Sequence, residues 1–124
     1  MQMLPSTAAL TAKNMGLPFE NDKDLFDPLR NIMLATAHLN ELNVKYPNNR
    51  ILIAAAYNAG ASRVDKWLAR SNGTLAMDEF IASIPFYETR GYVQNVLTYD
   101  YYYQMLQGVH TKQMFYKEEL QKQY

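Results

Sequence analysis

Two short stretches of this 124-residue chain concentrate side chains that could do chemistry. In the first, Tyr57-Asn58 interrupts a run of alanines just before Gly60, which puts a phenol and an amide at the end of an otherwise apolar segment. The second is PFYETRGY at 85–92, where a carboxylate, a hydroxyl, a guanidinium and tyrosines follow a proline. Such groups can exchange hydrogen bonds with a polar ligand or transfer a proton.

Each stretch also has a purely structural interpretation, which the residue types alone favour. Glu88 and Arg90 suit the first turn of a helix as ordinary solvated charges, and Tyr92 suits the core. Likewise, Tyr57 could close the core while Asn58 caps the last carbonyls of its helix. The residues alone therefore leave both packing and ligand binding open.

The composition excludes several other classes of function. Twelve Lys plus Arg balance twelve Asp plus Glu without a block of like charge, so no nucleic-acid partner is predicted. Without cysteine there is neither a disulfide nor a thiolate site, and His38 and His110 have no partner at metal-ligand spacing. No serine lies in a nucleophile motif, and no apolar run reaches the roughly 18 residues of a membrane span or resembles a signal sequence. We expect no metal, no cofactor and no membrane span.

The apolar spacing predicts an all-α fold, in which turn and cap residues separate the helices. These residues are Pro5 and Gly16 around the first helix, Asp27-Pro28 at the start of the second, Pro47-Asn48-Asn49 after it, Gly60 at the end of the third, Ser71-Asn72-Gly73 at the end of the fourth, Pro85 after the fifth and Gly108 after the sixth. The residues beyond Gly108 are polar with a few aromatics, and they either wrap back onto the body or fray.

Two helices have a predicted relation to the core. Ile51 to Tyr57 is apolar on every side, which predicts a central helix buried all round. In the second helix, apolar residues recur every three or four positions, which predicts one buried face, formed by Leu29, Ile32, Ala35, Leu39, Leu42 and Tyr46. A similar spacing predicts that the sixth helix is long, on the residues Tyr92, Val96, Tyr99, Tyr103 and Leu106.

Four segments, in their order and separation, resemble the catalytic domain of soluble lytic murein transglycosylases, a lysozyme-like helical family of the goose-type lysozyme fold that cleaves peptidoglycan. They are MQMLPSTA at 1–8, similar to the family's GLMQ...P.TA segment entered part-way through; DLFDPLRNIMLATAHL at 24–39, similar to its aspartate-proline helix; NNRILIAAAYNAGASRV at 48–64, similar to its AYNAG motif; and SIPFYETRGYVQNVLTYDYYY at 83–103, similar to its ETRGYV helix. The resemblance covers about 1–103 and implies that 1–124 is the C-terminal part of such a domain, with 104–124 as a C-terminal extension.

The resemblance implies a mechanism with a single glutamate. In the family that glutamate protonates the glycosidic oxygen and then helps the sugar's own 6-hydroxyl to form a 1,6-anhydromuramic acid end, with the substrate's N-acetyl group assisting. The family places this glutamate, followed by serine, upstream of the GLMQ segment, within which this sequence begins. We therefore expect the general acid to lie upstream of Met1, whether the chain is a fragment or its start codon is misassigned. We also expect the isolated chain to be inactive.

The resemblance implies a substrate groove in this chain and no catalytic residue. Gln2 matches the motif glutamine beside the sugar, and Met1, Met3 and Leu4 would line an apolar floor. The AYNAG pair matches Tyr57 and Asn58. The tyrosine would lie beside the scissile bond, and the asparagine would hold the N-acetylated sugar.

The ETRGYV match adds Glu88, Arg90 and Tyr92 to the substrate-binding set. Glu88 would accept hydrogen bonds from the sugar or the stem peptide, and it is not the general acid. Arg90 has an equally weighted structural alternative, in which it pairs with Glu88 or with a backbone carbonyl.

The expected partners are peptidoglycan glycan strands and muropeptides, and the expected location is the periplasm or cell envelope of a bacterium. Two alternatives of different class stay open. One is a non-catalytic peptidoglycan-binding module that keeps the groove. The other is a helical protein-interaction domain that docks its partner on an aromatic face formed by Tyr99, Tyr101, Tyr102 and Tyr103.

Overall fold

A computed structural model of the chain describes residues 5–16, 27–108 and 114–124, which form seven helices and no strand. The helices are α1 (Pro5–Met15), α2 (Pro28–Lys45), α3 (Arg50–Ala59), α4 (Ala61–Ser71), α5 (Met77–Ser83), α6 (Tyr87–Leu106) and α7 (Lys117–Gln121). The predicted all-α class is confirmed. Among these helices none has both the length and the apolar content that crossing a membrane requires.

The chain divides into two compact units, Met1–Lys45 and Tyr46–Tyr124. In the first unit, α1 packs against α2. The predicted start of α2 is confirmed, because the Asp27 carboxylate accepts a hydrogen bond from the backbone N–H of Leu29 at 3.1 Å. Gly16, at φ +67°, directly follows α1, as predicted for a helix that stops at a glycine.

The predicted inner face of α2 is partly wrong. Leu29 and Ile32 are 67% and 63% exposed, whereas Leu34 and Ala37, which lie outside the predicted stripe, are buried. Apolar residues surround most of this helix, so their spacing does not specify which side is covered. The buried residues of α2 are Leu34, Ala35, Ala37 and Leu42.

The central helix of the second unit is α3, which packs against α4 and α6. Its buried residues are Ile51, Leu52, Ala54, Ala55 and Ala56. The small alanines let neighbouring helices approach closely, and the prediction of a central buried helix is confirmed. At its start, the Asn49 side chain accepts a hydrogen bond from the N–H of Leu52 at 3.0 Å, as the predicted cap requires.

Helix α6 is present as predicted, and one of its faces is buried. Its buried residues are Thr89, Val93 and Leu97. Of the predicted stripe, Tyr99 and Tyr103 are 61% and 62% exposed and Leu106 is 66% exposed, while Tyr92 and Val96 are half-buried. Tyrosine is amphipathic, so a regular tyrosine spacing identifies a helix face without showing whether that face is covered.

The C-terminal residues 114–124 wrap back onto the second unit. Tyr124 is 1% exposed and its ring stacks on Phe80 with 5.0 Å between ring centroids. Its backbone N–H donates to the carbonyl of Leu75 at 2.8 Å, and the N–H of Leu75 donates to the Tyr124 carbonyl at 3.2 Å. Of the two sequence alternatives for this segment, wrapping is the one observed for these residues.

The wrapped segment carries a fully buried carboxylate, that of Glu119. One oxygen accepts hydrogen bonds from the backbone N–H and Nε of Arg50 at 2.8 and 3.0 Å. The other accepts from Arg50 Nη2 and from the backbone N–H of Tyr116, both at 2.8 Å. Arg50 also donates to Asp100 at 2.5 Å, and its guanidinium lies 3.9 Å from the centroid of the Tyr116 ring. The first residue of α3 is thereby joined to α6 and to the C-terminal segment.

We expect Glu119→Gln to lower the free energy of unfolding by about 2–4 kcal/mol, because it leaves the Arg50 guanidinium without its buried counter-charge. Urea denaturation followed by circular dichroism measures this change. Glu118→Gln is the matched control: its side chain is exposed on the same helix, and we expect an effect within about 0.5 kcal/mol. Equal midpoints for the two variants would show that the buried pair does not stabilise the unit.

A second prediction concerns alkaline pH. Tyr46 is 7% exposed and its hydroxyl donates to Asp65 Oδ1 at 2.6 Å; burial and this hydrogen bond raise the pKa of Tyr46 well above its ordinary value. Above pH ~10 the unfolded chain therefore loses the Tyr46 proton while the folded chain keeps it, so stability falls as pH rises. We expect Tyr46→Phe to make this decline shallower, by up to about 1.4 kcal/mol per pH unit.

Urea midpoints measured between pH 8 and 11 for wild type and variant check this prediction. Tyr103→Phe, on the exposed face of α6, serves as the control and should leave the slope unchanged. Parallel plots of urea midpoint against pH for Tyr46→Phe and wild type would contradict the proposed effect of Tyr46 ionisation on stability.

Candidate functional site

The last turn of α3 and the first turn of α6 bring the two predicted motifs together. Asn58 Oδ1 accepts a hydrogen bond from Thr89 Oγ1 at 2.7 Å. Thr89 is 2% exposed and belongs to the buried face of α6, whereas Asn58 is exposed. The hydrogen bond orients the amide and directs its Nδ2 side away from Thr89, so a fixed amide is presented at the surface.

The backbone around Asn58 is held by a one-residue junction between helices. Gly60 ends α3 and precedes α4 with φ +98°, a value that favours glycine, and its N–H donates to the carbonyl of Ala56 at 2.8 Å. From the next turn, Arg63 Nη1 donates to the carbonyl of Ala59 at 3.2 Å. These hydrogen bonds satisfy two of the carbonyls that have no partner within the helix at its C-terminal end.

Tyr57 and Tyr92 lie close to each other and are both half-buried. Burial raises the pKa of the Tyr57 hydroxyl above its ordinary value, and the neighbouring Tyr92 raises it further. The pKa of Tyr92 is raised by burial as well. Both hydroxyls therefore keep their protons at neutral pH and can donate hydrogen bonds.

Glu88 and Arg90 flank Thr89 on the first turn of α6. Glu88 is exposed. Arg90 Nη1 donates to the carbonyl of Ala82 at 3.3 Å, and the Arg90 guanidinium lies 5.6 Å from the centroid of the Tyr87 ring. The backbone-carbonyl alternative for Arg90 is thus present in the structure, although the bond is long and leaves other guanidinium donors for a ligand.

An aromatic contact supports the start of α6. The ring of Phe86 meets Trp67 edge-on, with 5.6 Å between centroids, and the guanidinium of Arg63 lies 5.0 Å from the Phe86 ring. Trp67 is on α4, so the first turn of α6 is fixed against the helix that follows Asn58. Both sides of the Asn58–Thr89 hydrogen bond therefore belong to packed elements.

The remaining predicted site residues lie elsewhere. Gln2 and Met3, with Met1 and Leu4, are outside the described residues. Within 5–16, 27–108 and 114–124, no group of three His, Cys, Asp or Glu side chains is placed to hold a metal ion. His38 is half-buried on α2 with Nδ1 3.9 Å from Glu41 Oε2, and His110 is outside the described residues.

Sequence reasoning missed Thr89, although it lies inside the ETRGYV segment. The available signal was its position four residues before Val93 and eight before Leu97, which places these three residues on one helix face. The prediction concentrated on the charged neighbours of Thr89 and overlooked a small polar side chain on the buried face.

Two family models match the chain. The model of the transglycosylase SLT domain family matches residues 1–80. The chain belongs to the transglycosylase SLT domain family. A second model, for the soluble lytic transglycosylase helical domain, matches residues 83–112.

Individual relatives of the SLT domain extend the match to the whole chain. A Haemophilus influenzae protein, provisionally named a soluble lytic murein transglycosylase, is 69% identical over 124 residues, which are 100% of this chain and 21% of that protein. The crystal structure of the 70-kDa soluble lytic transglycosylase from Escherichia coli matches with a TM-score of 0.92 and 42% identity, covering 100% of this chain and 20% of that one. A complex of the 70-kDa soluble lytic transglycosylase with bulgecin A gives a TM-score of 0.93 at the same identity and coverage.

These comparisons confirm the predicted family and the lysozyme-like transglycosylase fold. The chain spans about a fifth of the length of these SLT-domain relatives.

We expect Thr89→Val to release the Asn58 amide, because valine matches threonine in shape but cannot donate to Asn58 Oδ1. The side-chain NH₂ resonances of Asn58 should shift and lose dispersion in a ¹⁵N-correlated NMR spectrum, and stability should fall by about 1 kcal/mol. Thr98→Val is the matched control, since the exposed Thr98 hydroxyl donates within its own helix, to the carbonyl of Gln94. Unchanged Asn58 resonances in Thr89→Val would contradict the role of this hydrogen bond.

Proposed function

We propose that this chain supplies the substrate groove of a lytic transglycosylase that cleaves the MurNAc-GlcNAc β-1,4 bond of peptidoglycan with formation of 1,6-anhydromuramic acid. The observation that carries the proposal is the 2.7 Å hydrogen bond between Asn58 and Thr89, because it joins the AYNAG and ETRGYV segments at one surface site. Membership of the SLT family and relatives named as murein transglycosylases support the reaction.

The chemistry of the site suits an N-acetylated sugar. An oriented amide can donate through Nδ2 to the carbonyl of an acetamido group, and its orientation costs no further entropy because Thr89 already holds Asn58. Tyr57, which precedes Asn58 in α3, and Tyr92 keep their hydroxyl protons, because burial raises the pKa of both. Glu88 adds an exposed carboxylate that can accept from sugar hydroxyls or from a stem-peptide amine.

The general acid is proposed to be a glutamate outside these 124 residues. No glutamate in the sequence is followed by serine, the pair that carries this role in the family. Glu88 does not suit the role, because it is exposed to water, and an acid that works near neutral pH needs a shielded carboxyl. On this proposal the 124-residue polypeptide binds glycan and does not cleave it.

The proposal extends to setting and organisation. We propose that residues 1–124 are the C-terminal part of the catalytic domain, with Gln2 and Met3 in the same groove. We further propose that the domain meets glycan strands and muropeptides in the periplasm or cell envelope. The bacterial origin of the relatives supports this location.

The test is binding of a short glycan of alternating N-acetylated sugars, prepared from sacculi and followed through the fluorescence of Trp67, the single tryptophan. Asn58→Ala should weaken binding by about tenfold, the effect of about one hydrogen bond to the ligand, with the melting temperature nearly unchanged. Tyr57→Phe should weaken it less. Asn40→Ala, an exposed asparagine on α2, is the control and should bind as the wild type does.

Digestion of sacculi tests the second half of the proposal. The polypeptide should release no anhydro-muropeptides. Release that is lost in Glu88→Gln would move the general acid into this chain. Equal affinity of wild type and Asn58→Ala for the glycan would remove Asn58 from the groove.

A further inference from the structure

One face of α6 carries a continuous row of polar and aromatic side chains that begins in the candidate site. Its members recur every three or four residues, with two adjacent tyrosines near the end, which in a helix of 3.6 residues per turn places them on one side. We name this row the α6 stripe; it consists of Glu88, Tyr92, Asn95, Tyr99, Tyr102, Tyr103 and Leu106.

The α6 stripe is open to solvent along most of its length. Tyr99, Tyr102 and Tyr103 are 61%, 57% and 62% exposed, and Asn95 is exposed as well. The opposite face of the helix is the buried one, formed by Thr89, Val93 and Leu97, and α6 packs with α3. Core packing therefore does not account for the tyrosines of the stripe.

The chemistry of the stripe is that of a surface for an uncharged carbohydrate. Each tyrosine offers a flat apolar ring face on which the C–H groups of a sugar can stack, together with a hydroxyl for its polar edge. Asn95 adds an amide, and the only charged member is Glu88, at the end that lies in the candidate site. Neither a polyanion nor a polycation finds complementary charge here.

The length and start of the stripe fit a polymer. From Glu88 to Leu106 the helix rises about 27 Å, enough to lie along several sugar residues. The stripe begins beside Thr89, which binds Asn58, so a strand held at Asn58 can continue along α6 without leaving the protein surface.

We propose that the α6 stripe binds the glycan strand beyond the sugars held at Asn58, so that affinity increases with strand length. This rests on the proposed function of the Asn58 site. The stripe thereby favours long polymeric strands over short muropeptides.

The experiment compares a disaccharide with an octasaccharide of β-1,4-linked N-acetylglucosamine by isothermal titration calorimetry, because these sugars carry no charge, whereas peptide-free muramic acid exposes a carboxylate. The wild-type chain should bind the octasaccharide at least about tenfold more tightly. The double variant Tyr99→Ala/Tyr103→Ala should lose this gain and keep the disaccharide affinity. Alanine is the best helix former, so α6 should persist, which circular dichroism verifies.

Met105→Ala is the control on the same helix, since Met105 is 44% exposed and lies off the stripe. It should retain the length dependence. If the octasaccharide binds no more tightly than the disaccharide while Asn58→Ala still weakens the disaccharide, the stripe proposal fails and the proposed function stands. If neither glycan binds, both fail.

Sedimentation velocity of the same variants tests the other possible occupant of the stripe, a second copy of this chain. Self-association of the wild-type chain that is abolished in the Tyr99→Ala/Tyr103→Ala variant, without length-dependent glycan binding, would show that the stripe is a protein contact and would overturn the proposal.

Discussion

The buried carboxylate of Glu119 can exist only because Arg50 and two backbone N–H groups satisfy both of its oxygens. An uncompensated charge at this depth would cost several kcal/mol, so the C-terminal segment and the first turn of α3 have to form together. Asp100 holds a further N–H of the same guanidinium from α6. One arginine thus sets the relative position of three elements of the second unit.

That constraint acts on the candidate site through the rigidity of α3. The helix is ten residues long, about 15 Å, with Arg50 at its first residue and Asn58 in its last turn. Its alanines leave little free volume for rotation between α4 and α6. A polar pair placed at the end of such a helix is preorganised, whereas the same pair on a flexible loop would lose conformational entropy on binding.

The local features were predictable from the sequence, because a cap or a turn is determined within a few residues: Asp27, Asn49 and Gly60 stand where the helices begin and end. Contacts between residues that are far apart in the sequence were not predictable. Glu119 and Arg50 are 69 positions apart, and neither has neighbours that mark it. The spacing of the tyrosines predicted helix α6, but periodicity locates a helix face without showing whether that face is covered. Tyr57 and Asn58 stood out by type, but only the partner Thr89 shows how the amide is oriented.

The junction at Gly60 has an evolutionary consequence. Loops accept insertions because extra residues bulge into solvent, but here one residue separates two helices. An added residue would change the direction in which α4 leaves α3 and disturb the packing between the two helices. Descendants of this chain therefore cannot enlarge the site at this corner by lengthening a loop, and changes of ligand preference there must arise by substitution of existing side chains.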